Sequence, residues 1–158
     1  MLQGATTIWE RWNSYTIING FGDVGMNSFN HYAYGAIQEW MFAYSIGIQR
    51  DEQQPGYKHI LLQPRIGGTF THIKGHFDSM YGRIESGWEK VGKGYVYNVS
   101  IPANTTATLY LSVANPSLVK EGNNPIKKSK GIRYVGFENG KATYELASGT
   151  YLFSVSID

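Results

Sequence analysis

No cysteine occurs anywhere in the 158 residues. That excludes disulfides, thiolate zinc sites and a cysteine nucleophile, but it does not fix the compartment, because many exported bacterial proteins also lack cysteine. Charge is scarce too. Fourteen Lys and Arg against twelve Asp and Glu leave a formal net charge of +2, too little to call for a nucleic-acid or membrane partner. The basic run "KKSK" at 127–130 sits beside Asn and Pro and reads as a solvated loop. No long apolar run exists either. The richest stretch, 29–48, is interrupted by Asn30, His31, Gln38 and Glu39, so it is not a membrane span. The start, "MLQGATT", has neither the basic nor the apolar region of a signal peptide.

What is abundant is aromatic residues, 15% of the chain, and glycine, 19 residues. This composition describes a packed globular protein with many turns. The sequence divides near "RDEQQPG" at 50–56, giving a segment 1–50 and a domain 51–158.

The first segment carries one strong helical signal. Ser28 is a good N-cap and Gly47 a good C-terminal stop. Phe29, Ala33, Ala36, Trp40 and Tyr44 recur at steps of three and four. Tyr32, Ile37, Met41 and Ile48 form a second stripe, with Phe42 and Ile46 on another side. A helix apolar nearly all round belongs inside something large. A following domain of about 100 residues covers only one side of it. Alone, the chain is expected either to pack this helix across that domain or to self-associate through helix 28–47.

Residues 57–158 read as short strands rich in β-branched and aromatic residues, separated by Gly, Pro and Asn turns. "ENGK" at 138–141 predicts a hairpin turn of the Asn-Gly type. Tyr95, Tyr97, Val99 and Ile101 alternate onto one face, so the sheet buries one side. The fold class is therefore mixed and mainly β: one helix, then an antiparallel β-sandwich, jelly-roll-like.

Two motifs dissolve on inspection. "GFGDVG" at 20–25 matches a dinucleotide fingerprint but lacks the following helix and second parallel strand, so its glycines are expected to shape a loop. His72 and His76 have a metal-binding spacing only on a helix, whereas "THIKGH" reads as strand and turn.

Glu10, between Trp9 and Trp12 in "GATTIWERWN", is less easily dismissed. An acid among aromatics is most often half of an ion pair, here with Arg11. The alternative is sugar chemistry. Pyranose rings stack on indole, their hydroxyls bond carboxylates and imidazoles, and glycoside cleavage needs an acid and a second carboxylate. Trp9, Glu10, Trp12 and His31 have the right chemical types. The remaining acids of the segment, Asp23 in a glycine loop and Glu39 in mid-helix, are poor candidates for a second catalytic carboxylate.

"GATTIWERWN", "MNSFNHYAYGAIQEWMF", "DSMYGRIESGWEK" and "IPANTTATLYL" together resemble the C-terminal end of the bacterial α-L-rhamnosidases of glycoside hydrolase family 78. The resemblance spans roughly residues 3–113 and is most specific in the first two motifs. It implies a large multi-domain enzyme that removes terminal α-L-rhamnose with inversion. Its fold would be an (α/α)6 barrel followed by a C-terminal β-sandwich. Glu10 then matches the general base that activates water, His31 matches a histidine contacting rhamnose, and Trp9 and Trp12 match the flanking aromatics. No metal and no cofactor are implied. The partner is a rhamnose-containing glycoside, with neither nucleic acid nor membrane. The family's general acid lies on earlier barrel segments, so this chain alone is expected to be inactive.

The competing reading is a non-catalytic carbohydrate-binding module. In it, exposed tyrosines and Trp88 would form a stacking platform on the sandwich. A purely structural sandwich that buttresses the barrel is the third.

Overall fold

The computed structural model describes residues 4–156, which divide into two units between Trp40 and Met41. The first unit contains a small hairpin, β1 (Tyr15–Thr16) with β2 (Gly20–Phe21), in the register Tyr15↔Phe21 and Thr16↔Gly20. A 3-10 turn, Tyr32–Gly35, follows and leads into α1, Ala36–Trp40. Edge-on aromatic contacts, Trp9 on Phe29 and Phe21 on both Tyr15 and Phe29, gather the loops around the hairpin. Among the described residues of this unit only Ser14 is buried.

The expected helix from Ser28 to Gly47 is thus corrected. It starts only at Tyr32, and it changes pitch from 3-10 to α to a π turn, Met41–Ile46, which opens the second unit. Ser28 does not cap it, because it lies four residues before the start, where its N–H and C=O are both bonded to Glu10. His31 stands at the cap position instead, with no side-chain cap bond. Gly47 does end the helical run, at φ 84°, and donates its N–H to the Phe42 carbonyl at 3.0 Å.

The second unit holds eleven strands: β3 (Ile48–Arg50), β4 (His59–Leu62), β5 (His72–Ser79), β6 (Gly82–Val91), β7 (Gly94–Ile101), β8 (Thr106–Ser112), β9 (Val119–Glu121), β10 (Asn124–Pro125), β11 (Ile132–Glu138), β12 (Lys141–Leu146) and β13 (Gly149–Ser156). One sheet has the order β10-β9-β13-β7-β6-β5 and the other β11-β12-β8-β4-β3. Every pair is antiparallel except β4 with β8. The expectation of a wholly antiparallel sandwich is corrected at that pair. Residues 63–105 leave β4, build β5 to β7 in the opposite sheet and return, a crossover long enough for a parallel neighbour.

The two sheets bury their facing sides in one core. Ile60, Leu62, Leu109, Leu111, Tyr144 and Leu146 come from one sheet, and Ile84, Trp88, Tyr97, Val99 and Phe153 from the other. Tyr144 and Phe153 bring their rings to 6.1 Å across the interface. Fully burying a side chain of this kind contributes about 1.5–3 kcal/mol. As expected, Tyr95, Tyr97, Val99 and Ile101 all point inward. Asn139 and Gly140, at φ 51° and 72°, make the two-residue turn between β11 and β12. Lys127, Lys128 and Lys130 are exposed, in agreement with a solvated loop.

The π turn is fastened into this sandwich. The carbonyls of Ala43, Tyr44, Ser45, Ile46 and Gly47 accept bonds from Gln49 Nε2, Arg65 N–H, Trp88 Nε1, Ser86 Oγ and Gln63 N–H, at 2.7 to 2.9 Å. The carbonyls that a helix end leaves unpaired are therefore all satisfied.

Candidate active site

Glu10 sits half-buried in the first unit, on a segment tied to residues eighteen and more positions away. Its N–H donates to the Ser28 carbonyl at 2.8 Å, and Ser28 returns its own N–H to Glu10 Oε2 at 3.0 Å. Two residues earlier, the Ile8 carbonyl accepts the His31 N–H at 2.9 Å. Tyr34 adds its hydroxyl to the Glu10 carbonyl at 3.4 Å, and its ring lies 5.0 Å from the imidazole of His31. This ladder brings the segments of Glu10 and His31 side by side. Oε2 is fixed by a main-chain donor, while Oε1 accepts no bond from the described residues. A carboxylate held by one oxygen and open at the other can take a proton from water without losing its place.

The aromatic surroundings differ between the two tryptophans. Trp9 is half-buried with its ring edge-on to Phe29, at 5.1 Å. Trp12 is wholly exposed, so Glu10 does not sit in a closed cage. The ion pair of Glu10 with Arg11 does not form. Arg11 reaches Asp23 at 3.6 Å instead, across exposed surface where such a pair contributes about 0–1 kcal/mol. The turn at Arg11–Ser14, closed by Ser14 N–H on the Arg11 carbonyl at 3.2 Å, carries the guanidinium away from its neighbour.

Asp23 is fully engaged: Oδ2 faces Arg11 and Oδ1 accepts the Gly25 N–H at 2.9 Å. That turn is also what "GFGDVG" builds, with Gly20 and Phe21 in the hairpin and no helix directly after it. Glu39 is exposed on α1.

Sequence reasoning missed Tyr34 and Asn27. Asn27 donates Nδ2 to the Ser14 carbonyl at 3.0 Å, and its buried Oδ1 has no partner among the described residues. Tyr34 lies three positions after His31 in the 3-10 turn, so the spacing was visible. The bond of Asn27 spans thirteen residues and left no local trace.

In the second unit the stacking platform fails at its main member: Trp88 is buried and its Nε1–H is used. His72 and His76 lie on one continuous strand, β5. At about 3.3 Å per residue their positions are about 13 Å apart. A groove of about 390 Å³ lies at one end of β11, β12, β8 and β4, beside the turn residues Gly131 and Ala147. Its polar groups satisfy one another: His59 bonds Thr106 and Thr108, and Arg133 pairs with Glu145.

Two family models match the chain. Residues 1–45 match the bacterial α-L-rhamnosidase six-hairpin glycosidase domain, and residues 47–125 the bacterial α-L-rhamnosidase C-terminal domain. An α-L-rhamnosidase of Streptomyces avermitilis is 37% identical over 153 residues, covering 97% of this chain and 14% of that protein. One from Formosa agariphila is 39% identical over 151 residues, covering 96% of this chain and 16% of its own length. The crystal structure of the Streptomyces avermitilis enzyme complexed with L-rhamnose superposes with a TM-score of 0.78, over 97% of this chain and 14% of that one. The chain therefore spans only about a seventh of the length of the curated relatives it matches. Over that span, the chain belongs to the bacterial α-L-rhamnosidase family.

Proposed function

We propose that this chain is the C-terminal part of an inverting α-L-rhamnosidase that hydrolyses terminal α-L-rhamnose from glycosides. Segment 1–50 contains the end of an (α/α)6 catalytic barrel, and residues 51–158 its jelly-roll-like accessory sandwich. The supporting observation is the Glu10 carboxylate, pinned through Oε2 to Ser28 N–H with Oε1 left for water. The likeness to an enzyme solved with L-rhamnose supports that substrate class.

Glu10 acts as general base. It removes a proton from a water that attacks the anomeric carbon from the face opposite the leaving group. In an inverting site the general acid stands about 6.5–9.5 Å away. That acid belongs to barrel segments beyond these residues, so the isolated chain does not turn over. His31 bonds the sugar, and Trp9 and Trp12 offer apolar faces to it. The sandwich, with Trp88 in its core, serves as a buttress.

Exposed Trp12, Ile18, Val24, Tyr32 and Ile37 are covered by the rest of the barrel in the whole enzyme. Without it the chain self-associates through residues 28–47, read by light scattering. The test of the function is Glu10→Gln in the full-length enzyme, with turnover and product anomer followed by NMR. Turnover is abolished and rhamnose binding largely retained. Near-normal turnover would sink the assignment.

A further inference from the structure

We infer that Asn27 is a positioning residue for Glu10, holding through Ser14 the main-chain N–H that fixes the carboxylate. The inference rests on the reading of Glu10 as general base. Its basis is a closed circuit of covalent and hydrogen bonds. Glu10 is followed by Arg11. Arg11 is locked to Ser14 by its N–H on Ser14 Oγ at 3.3 Å, by Ser14 Oγ on its carbonyl at 2.9 Å, and by Ser14 N–H on the same carbonyl at 3.2 Å. The Ser14 carbonyl accepts Asn27 Nδ2 at 3.0 Å and Gly22 N–H at 2.8 Å. Asn27 is followed by Ser28, whose N–H returns to Glu10 Oε2 at 3.0 Å.

Every member of this circuit is main chain except three side chains: Ser14, Asn27 and Glu10 itself. Ser14 is 1% exposed, which makes its carbonyl a fixed reference point for the loop. The amide of Asn27 has the donor and the length for that role. Aspartate would set oxygen against oxygen, and serine would fall short. The donor that orients a catalytic carboxylate has to be held by something rigid, and Asn27 ties the residue before that donor to a buried carbonyl.

The experiment uses the full-length enzyme carrying this segment, with Glu10→Gln, Asn27→Ala and the near-isosteric Asn27→Asp, assayed on 4-nitrophenyl α-L-rhamnoside. Misplacing a catalytic group by about 1 Å can cost about a hundredfold in rate. Both Asn27 variants should therefore lose about 10- to 100-fold in kcat, with KM unchanged and the thermal midpoint lowered by no more than the loss of one hydrogen bond explains. A kcat close to the parent's, with Glu10→Gln inactive, overturns the positioning role and leaves the base standing. Active Glu10→Gln overturns the base and the inference with it. A parallel change in KM and thermal midpoint, or failure of both Asn27 variants to fold, overturns positioning in favour of a structural role.

Discussion

Trp88 donates its indole N–H to the carbonyl of Ser45 at 2.8 Å, and both residues are buried. The bond ties the six-stranded sheet to the π turn that precedes β3. Trp88→Phe removes the only donor reaching that carbonyl among the described residues and leaves space beside it. The expected cost is about 2–4 kcal/mol, read as a lower midpoint in urea unfolding.

Two core tyrosines should respond differently to the same substitution. Tyr97 shares its hydroxyl with Ser86 Oγ at 2.9 Å, and Ser86 in turn donates to the Ile46 carbonyl at 2.7 Å. Tyr97→Phe breaks that chain and should cost about 0.5–1.5 kcal/mol. The Tyr144 hydroxyl is buried with no partner among the described residues. Tyr144→Phe removes an unpaid desolvation and should be neutral or stabilising by about 1 kcal/mol. Thermal unfolding of the two variants side by side decides it.

Burial also pushes these hydroxyls above the ordinary tyrosine range. Tyr144 is raised to about 12, and Tyr95 and Tyr97 higher still. A raised value means that the neutral form is favoured in the fold. The contribution is therefore complete below pH 10 and is lost as pH rises through about 12. Stability should fall between those limits, and Tyr144→Phe should shallow the fall. A stability profile equally steep in that variant would exclude Tyr144 as its source.

Gly47 combines a φ of 84° with a close approach: an added Cβ would lie 2.3 Å from the Pro64 nitrogen. Neither side can yield easily, because the Gly47 carbonyl accepts the Gln63 N–H at 2.8 Å and its own N–H is held by the Phe42 carbonyl. Gly47→Ala should destabilise by about 2–4 kcal/mol, combining backbone strain with displacement of the β4 exit. Urea unfolding of the variant measures it.

Much of the sandwich was legible because its signals are local. Alternation at Tyr95, Tyr97, Val99 and Ile101 declares a face, and Asn139-Gly140 declares a turn, with no help from distant residues. Where long-range bonding decides, the reading failed. Ser28 has the composition of an N-cap, but its main chain is claimed by Glu10. Arg11 adjoins Glu10 in sequence and pairs with Asp23 in space. The parallel pairing of β4 with β8 depends on 43 intervening residues, 63–105. Strands β9 and β10 are too short to show a period. At the candidate site the residue types were readable, whereas Asn27 and Tyr34 are marked only by their partners.

The five carbonyls from Ala43 to Gly47 also have a mechanical meaning. A tension applied at Met41 meets them at five successive residues, so no single tether carries the load. Two of the donors, Ser86 and Trp88, stand on β6, an interior strand of the six-stranded sheet, so a pull on the turn is passed straight to the core.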